Sequence, residues 1–457
     1  MLALVVGVAL ALRLAHLASV FRFEVEHVEP GLDRWLEIQI AQAVADGDPL
    51  GGPLAPYESS PAYATGLGML YRIAGRSWRA PLVLQAVLGA LVPLLLYGAG
   101  RRLVSPRVGI LAAALAALYG PAMFYEALTL KFAMVPVVIS ALLCAAAIAS
   151  RDRERLGAFA VGTAGAALVA LRPNAVVVLP VVLAWIAAGK RPGAGARTML
   201  LFAAGVAIVA GPVALRRTHA DAASLWGIHF YIGSDPDGDG GYTVIPGIAD
   251  DPFGHVDDAR TIAEADVGEP LTDAAVSRYW FRRGLALIRA RPADYAVLEW
   301  RKLRRIGAAG EDDAFGDAYA SYVARSPVLG AGPVTFGVVA PLAVAGMGLA
   351  VARRSRLAWC VAFVAAYTVS LLAFFVTSRY RLPLVPPLVL CAALALAWLA
   401  DTAVDRFVLA VAVGTGLLVG AWMLLGAPAS DLLRLAVVLV AGVAAARALR
   451  SGDHGPT

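Results

Sequence analysis

Residues 131–149 read KFAMVPVVISALLCAAAIA: one cation, Lys131, and then an unbroken run without any charge. At about 1.5 Å of rise per residue, such a run crosses a hydrocarbon core about 30 Å thick as a helix. Comparable runs lie on both sides of it, near 2–20, 80–100, 107–124, 156–171, 174–188, 198–215, 333–352, 357–377, 382–400, 406–425 and 431–449. The expected fold is therefore an all-α polytopic membrane protein with about twelve transmembrane helices. Composition agrees, with 60% apolar and 16% charged residues and a mean hydropathy of +0.71. One soluble core cannot absorb that much apolar surface.

Basic clusters punctuate the runs: Arg101, Arg102 and Arg107; Arg151, Arg153 and Arg155; Lys190, Arg191 and Arg197; Arg353, Arg354 and Arg356. Basic residues concentrate on the cytoplasmic side of membrane proteins, so all four clusters are placed there. The net charge of +6 then reads as a topology signal, and the absence of a basic stripe argues against nucleic acid as a partner. Cys144, Cys360 and Cys391 all fall inside expected spans, away from any segment that would carry a disulfide or zinc site. Residues 1–20 lack a basic start and a small-residue cleavage site and contain Arg13, which fits a retained first helix better than a signal peptide.

The opposite side of the bilayer receives a first loop at 21–76, a short loop at 124–130, the Arg172-Pro173-Asn174 corner, a long segment at 217–331, and the Ser378-Arg379-Tyr380-Arg381 corner. Three parts follow: a seven-helix membrane module over 1–216, an extracytoplasmic domain over 217–331 of small mixed α/β character, and C-terminal membrane helices over 332–457. The expected location is a bacterial inner (cytoplasmic) membrane, with the chemistry facing the periplasm or cell exterior.

Ionisable residues at the outer ends of spans are the candidates for chemistry. Asp33 precedes a short amphipathic helix suited to the bilayer surface; it is either a functional acid or an ordinary first-turn acid. Glu126 stands five residues before Lys131, so the two either address one polar pocket or snorkel as a plain pair. Arg172, Arg379 and Arg381 sit on the outer face against the usual charge bias. Guanidinium groups bind phosphate bidentately, which points to a lipid phosphate, whether of a substrate or of a phospholipid headgroup. Tyr231, with Trp226 and Tyr242, is of a type that stacks on sugar rings, although aromatics also gather at membrane interfaces. Asp235-Pro-Asp237-Gly-Asp239-Gly240 opens like a calcium loop, but Pro246 stands where a bidentate Glu is required, so a turn is expected instead. His27, His219, His229 and His255 show no ligand spacing.

The order of Asp33, Gly47-Asp48-Pro49, Ser60-Pro61-Ala62-Tyr63, Tyr125-Glu126 with Leu130-Lys131, Leu171-Arg172-Pro173-Asn174, Phe230-Tyr231-Ile232-Gly233 and Ser378-Arg379-Tyr380-Arg381-Leu382-Pro383 resembles the GT-C glycosyltransferases. The resemblance is to the bacterial branch related to protein O-mannosyltransferases and the lipid A aminoarabinose transferase, and it spans nearly the whole chain. It implies inverting sugar transfer from a polyprenyl-phosphate-linked donor to a glycan, lipid or protein acceptor at the outer face of the lipid bilayer. By position, Asp33 would be the general base, and Glu126 a second acid that shapes the acceptor or metal site. Lys131, Arg172, Arg379 and Arg381 would meet the donor phosphate, and Tyr63, Tyr231 and Tyr380 the sugar or acceptor. A divalent metal such as magnesium, manganese or zinc belongs to part of this superfamily; its ligands are not identifiable here. Phe132 stands where relatives often carry an acid, and Ser59-Ser60-Pro61 replaces a Lys-Pro-Pro motif. The competing reading is a transporter or flippase for a lipid-linked or anionic solute. Arg13 and His16 are the main ionisable residues within a span, fewer than such a path needs.

Overall fold

The computed structural model describes residues 1–23, 32–57, 62–150, 154–188, 194–219, 226–311, 318–332 and 334–401, with 435, 436 and 439 beyond them. Among these, four helical segments are long and apolar enough to cross a bilayer: Leu2–Val20, Arg79–Leu103, Lys131–Ala149 and Ser378–Asp401, of 19, 25, 19 and 24 residues. Six shorter apolar helices of 10–17 residues accompany them. These coincide in position with ten of the expected spans, of which only the four have full spanning length; the spans expected near 406–425 and 431–449 lie almost wholly outside the described residues. The chain is a multi-pass helical membrane protein.

Close backbone approach holds the bundle together. A Cβ at Gly162 would strike the Phe202 carbonyl, and one at Gly205 the Phe159 carbonyl, so the helices at Glu154–Leu171 and Ala194–His219 touch main chain to main chain. Without a hydrophobic drive between helices in lipid, small residues at such crossings supply the packing. Charge inside the bundle is paired. Arg13 Nε lies 2.7 Å from Glu126 Oε2, and its Nη2 donates to Oε1 at 3.1 Å. His16 Nδ1 lies 2.8 Å from Ser326 Oγ.

The segment from Trp226 to Gly307 forms a helical layer on one end of the bundle. Its helices are Trp226–Gly233, Asp257–Val267, Asp273–Ala290 and Pro292–Gly307, gathered on Ile228, Ile232, Ile248 and Trp280. Gly268, with φ +84°, ends the second by turning left-handed. The expected mixed α/β character is not seen: among the described residues there is no strand, only an isolated bridge between Tyr119 and Val334. The intervening stretch is turns, because its aspartates take up backbone N–H groups that a strand would need. Asp235 accepts from the Asp237 amide at 3.1 Å, and Asp251 accepts from Gly254 at 2.7 Å. Asp237 pairs with Arg291 at 2.8 Å and Asp239 with Arg305, so two acids of the calcium-like motif hold this loop to the layer.

The layer is fastened to the bundle at one corner. Lys302, fully buried, donates to Glu299 at 2.6 Å and to the Leu372 carbonyl at 2.7 Å. Val376 N donates to Gly240 O at 2.9 Å, while Gly233 packs on the backbone of Phe374 and Phe375.

Breaking one partner of a buried ion pair costs about 3–5 kcal/mol. Arg13→Met is therefore expected to lower the unfolding temperature in detergent markedly, and Arg13→Met with Glu126→Leu to recover part of the loss. A single variant that melts with wild type would show that the pair carries no structural load.

Candidate active site

Three helices begin at the same end of the bundle with a tight 3-10 turn, and each turn carries or follows a cation. Lys131 opens the turn Lys131–Met134, Arg172 precedes Pro173–Val177, and Arg379 lies within Ser378–Leu384. Prolines suit these positions because the first helical N–H groups have no partner to lose. Helix N-termini carry partial positive charge, so a cation there is held against the dipole and the combined field favours an anion.

Aromatic faces hold two of these cations in place. The Arg172 guanidinium lies 4.3 Å from the Tyr380 ring centroid and 5.1 Å from that of Phe132. Arg379 lies 5.1 Å from Phe132 and 5.6 Å from Tyr380. The two rings are 6.1 Å apart and form a shared platform.

The acids come from the helix Leu32–Ala45. Asp33 accepts from Arg379 Nη1 at 3.1 Å, its side chain still 41% exposed. Glu37, one turn on and buried, stands 4.0 Å from Lys131 Nζ. The spacing of four puts both carboxylates on one helix face. Arg379 and Lys131 thus have acidic partners. Among the described residues Arg172 has none, and its buried Nε has no hydrogen-bond partner.

A third wall comes from the helical layer. His229 lies edge-on to His255 at 5.6 Å and to Phe375 at 5.7 Å, and Phe375 meets Tyr380 at 5.6 Å. Tyr242 Oη and His255 Nε2 are 2.8 Å apart. Burial, then His255, Lys131 and Arg172, push the His229 imidazole from 6.5 down to about 3, against a smaller opposing pull from Asp33. Burial lowers His255 as well, opposed by Asp250, Asp251 and Asp33. Burial and a hydrogen bond to Asp250 raise the Tyr242 phenol. All three groups are neutral at physiological pH.

The structure thus gathers Asp33, Lys131, Arg172, Arg379 and Tyr380. It places the remaining expected residues elsewhere. Glu126 is buried against Arg13 and Gly89 and does not share a pocket with Lys131, since a carboxylate inside the bundle needs a cation beside it. Arg381 stacks 4.0 Å from the Phe336 ring, bonds Glu311 at 2.7 Å and the Gly310 carbonyl at 2.6 Å, and also bonds the Ala308 carbonyl. It therefore anchors the end of the helical layer. Tyr63 is buried and donates to Gln85 Oε1 at 2.6 Å, while Tyr231 packs on Trp280 at 5.0 Å. Sequence reading missed Glu37, which the interval of four from Asp33 points to. It also missed the juxtaposition of His229 and His255, which spacing does not reveal. Among the described residues no three His, Cys, Asp or Glu side chains are grouped to hold a metal ion.

No family model and no curated protein matches the chain. Among solved structures it is similar to the oligosaccharyltransferase of Archaeoglobus fulgidus in the apo form, at 13% identity and a TM-score of 0.48, covering 97% of this chain and 56% of that one. It is similar also to that organism's oligosaccharyltransferase AglB in complex with an inhibitory peptide and a dolichol-phosphate, at 15% identity and 0.43, covering 96% and 56%. A third is the enzyme's complex with zinc and sulfate, at 13% identity and 0.44, covering 93% and 53%. The chain spans about half the length of these structures.

Because the folded His229 binds its proton only at far lower pH than the free side chain, the unfolded state takes up more protons between about 3 and 6.5. Stability from this group is fully present above 6.5 and falls as pH drops through that window. His229→Gln should consequently lose less thermal stability than wild type between about pH 7 and about pH 5. Equal losses in the two proteins would show that His229 is not held neutral.

Proposed function

We propose that the chain is an inverting membrane glycosyltransferase of GT-C type, which moves a sugar from a polyprenyl-phosphate-linked donor to an acceptor hydroxyl with Asp33 as general base. The observation that carries this reading is Arg172, a cation with no acidic partner among the described residues, on an aromatic platform beside an accessible carboxylate that is itself held by a second arginine. The basic clusters at the other ends of the helices orient this site toward the periplasm of a bacterial inner membrane.

The donor phosphodiester carries one negative charge, which Arg172 meets at the mouth of three helix N-termini. The sugar then lies between phosphate and Asp33. The acceptor oxygen gives its proton to Asp33 and forms a bond to the anomeric carbon, while the carbon–oxygen bond to phosphate breaks on the opposite face and its electron pair leaves with the phosphate. Attack opposite to departure inverts the anomeric configuration. Asp33 loses its charge as the phosphate gains one, so Arg379, held on the same Phe132 ring as Arg172, is released from its carboxylate just as the second negative charge develops. Glu37, 4.0 Å from the Lys131 ammonium, orients it.

The test is transfer by purified protein in nanodiscs, with a panel of radiolabelled polyprenyl-phosphate sugars, membrane extract as acceptor, and chelator present or absent. Removing a general base costs about 10²–10⁴ in rate, so Asp33→Asn should lose at least two orders of magnitude in turnover while still binding donor. Arg172→Gln should weaken donor affinity about tenfold, in keeping with a lost charged hydrogen bond. Full turnover by Asp33→Asn would sink the assignment. Lipid translocation without transfer would favour the transporter reading.

A further inference from the structure

The end of the site beyond Asp33 is chemically unlike the end that holds Arg172. Successive rings line it from the platform outward: Tyr380 to Phe375, Phe375 to Tyr242 at 5.2 Å, and Tyr242 to His255 at 5.7 Å. The first-loop segment meets the same stretch from the other side. Tyr57 packs on Phe253 at 4.7 Å and bonds Asp257 at 3.1 Å, and Trp35, half a turn from Asp33, lies 6.3 Å from Phe253.

The charges divide along this axis. His229 feels the cations Lys131 and Arg172 as well as Asp33. Asp250, Asp251 and Asp33 act on both His255 and Tyr242. One end of the site offers Arg172 on its aromatic platform, and the stretch around Tyr242 and His255 is faced by acids.

Neutral imidazoles offer one donor and one acceptor each, a phenol offers both, and carboxylates accept from hydroxyl groups. Ring faces stack on the apolar face of a pyranose. A serine or threonine of a protein presents one hydroxyl and no such face, and an acidic glycan would meet three carboxylates. We propose that the acceptor is a neutral saccharide, bound along His229, Tyr242 and His255 with its reactive hydroxyl at Asp33. This rests on the glycosyltransferase reading and names the acceptor class for the same site.

The experiment is saturation-transfer NMR on the full chain in nanodiscs without donor. The probes are neutral mannose and N-acetylglucosamine disaccharides, a glucuronate-containing disaccharide, and a short serine/threonine peptide. A neutral disaccharide should bind, the glucuronate one at least about tenfold more weakly. Tyr242→Phe, which removes one hydroxyl and keeps the ring packing, should weaken binding about fivefold, the share of one hydrogen bond. Asp33→Asn should lose no more than the one hydrogen bond to the reactive hydroxyl, a few-fold in saccharide affinity, against about two orders of magnitude or more in transfer; its transfer tests the general base and leaves the acceptor assignment standing. Absence of saccharide binding, equal binding of the glucuronate probe, unchanged affinity in Tyr242→Phe, or binding of the peptide alone would each overturn the proposal.

Discussion

An ion surrounded by hydrocarbon and close-packed helix is stable only beside an opposite charge, because the interior does not replace the water it has lost. The pairs that satisfy this condition join distant parts of the chain. Arg13 and Glu126 tie the first helix to the middle of the bundle. Arg381 and Glu311 tie the last described spanning segment to the end of the helical layer. Lys302, with Glu299 and the Leu372 carbonyl, fastens that layer at its corner. Each bond settles where a neighbouring segment can go, so the site between them inherits its geometry from the need to neutralise charge.

Against that background the arrangement around Asp33 has a direction. Lys131 and Arg379 each lie beside a carboxylate on one helix face, whereas Arg172 rests on aromatic rings with no acidic partner among the described residues. Three helix N-termini add their partial charges at the same place. The resulting surplus of positive charge is small and local, which suits a singly charged phosphodiester. The protonation of Asp33 would raise that surplus by releasing Arg379. Positive field on one flank and neutral or acidic hydrogen-bonding groups on the other give the site two unlike halves.

Some residues of the same chemical type lie apart from this site. Arg379 and Arg381 are two residues apart in one 3-10 turn, yet one faces Asp33 and the other Glu311. A turn of about three residues per revolution sends alternate side chains to different sides. Composition and position could not separate them.

The sequence by itself determined the helical membrane class, because uncharged runs such as 132–149 can bury their backbone polar groups in lipid only as helices. It also marked Asp33, Lys131, Arg172 and Arg379, since charges at the ends of such runs are costly enough to stand out. Tertiary structure alone decided which charge meets which. Glu126 went to Arg13 across the bundle instead of to Lys131 five residues away, and Glu37, unremarkable in sequence, took Lys131. It alone brought His229 and His255 together across a turn region whose aspartates fold it back on itself. The physical reason is common to all of these: periodicity and hydropathy are local along the chain, while electrostatic pairing acts through space and is settled only when distant helices pack.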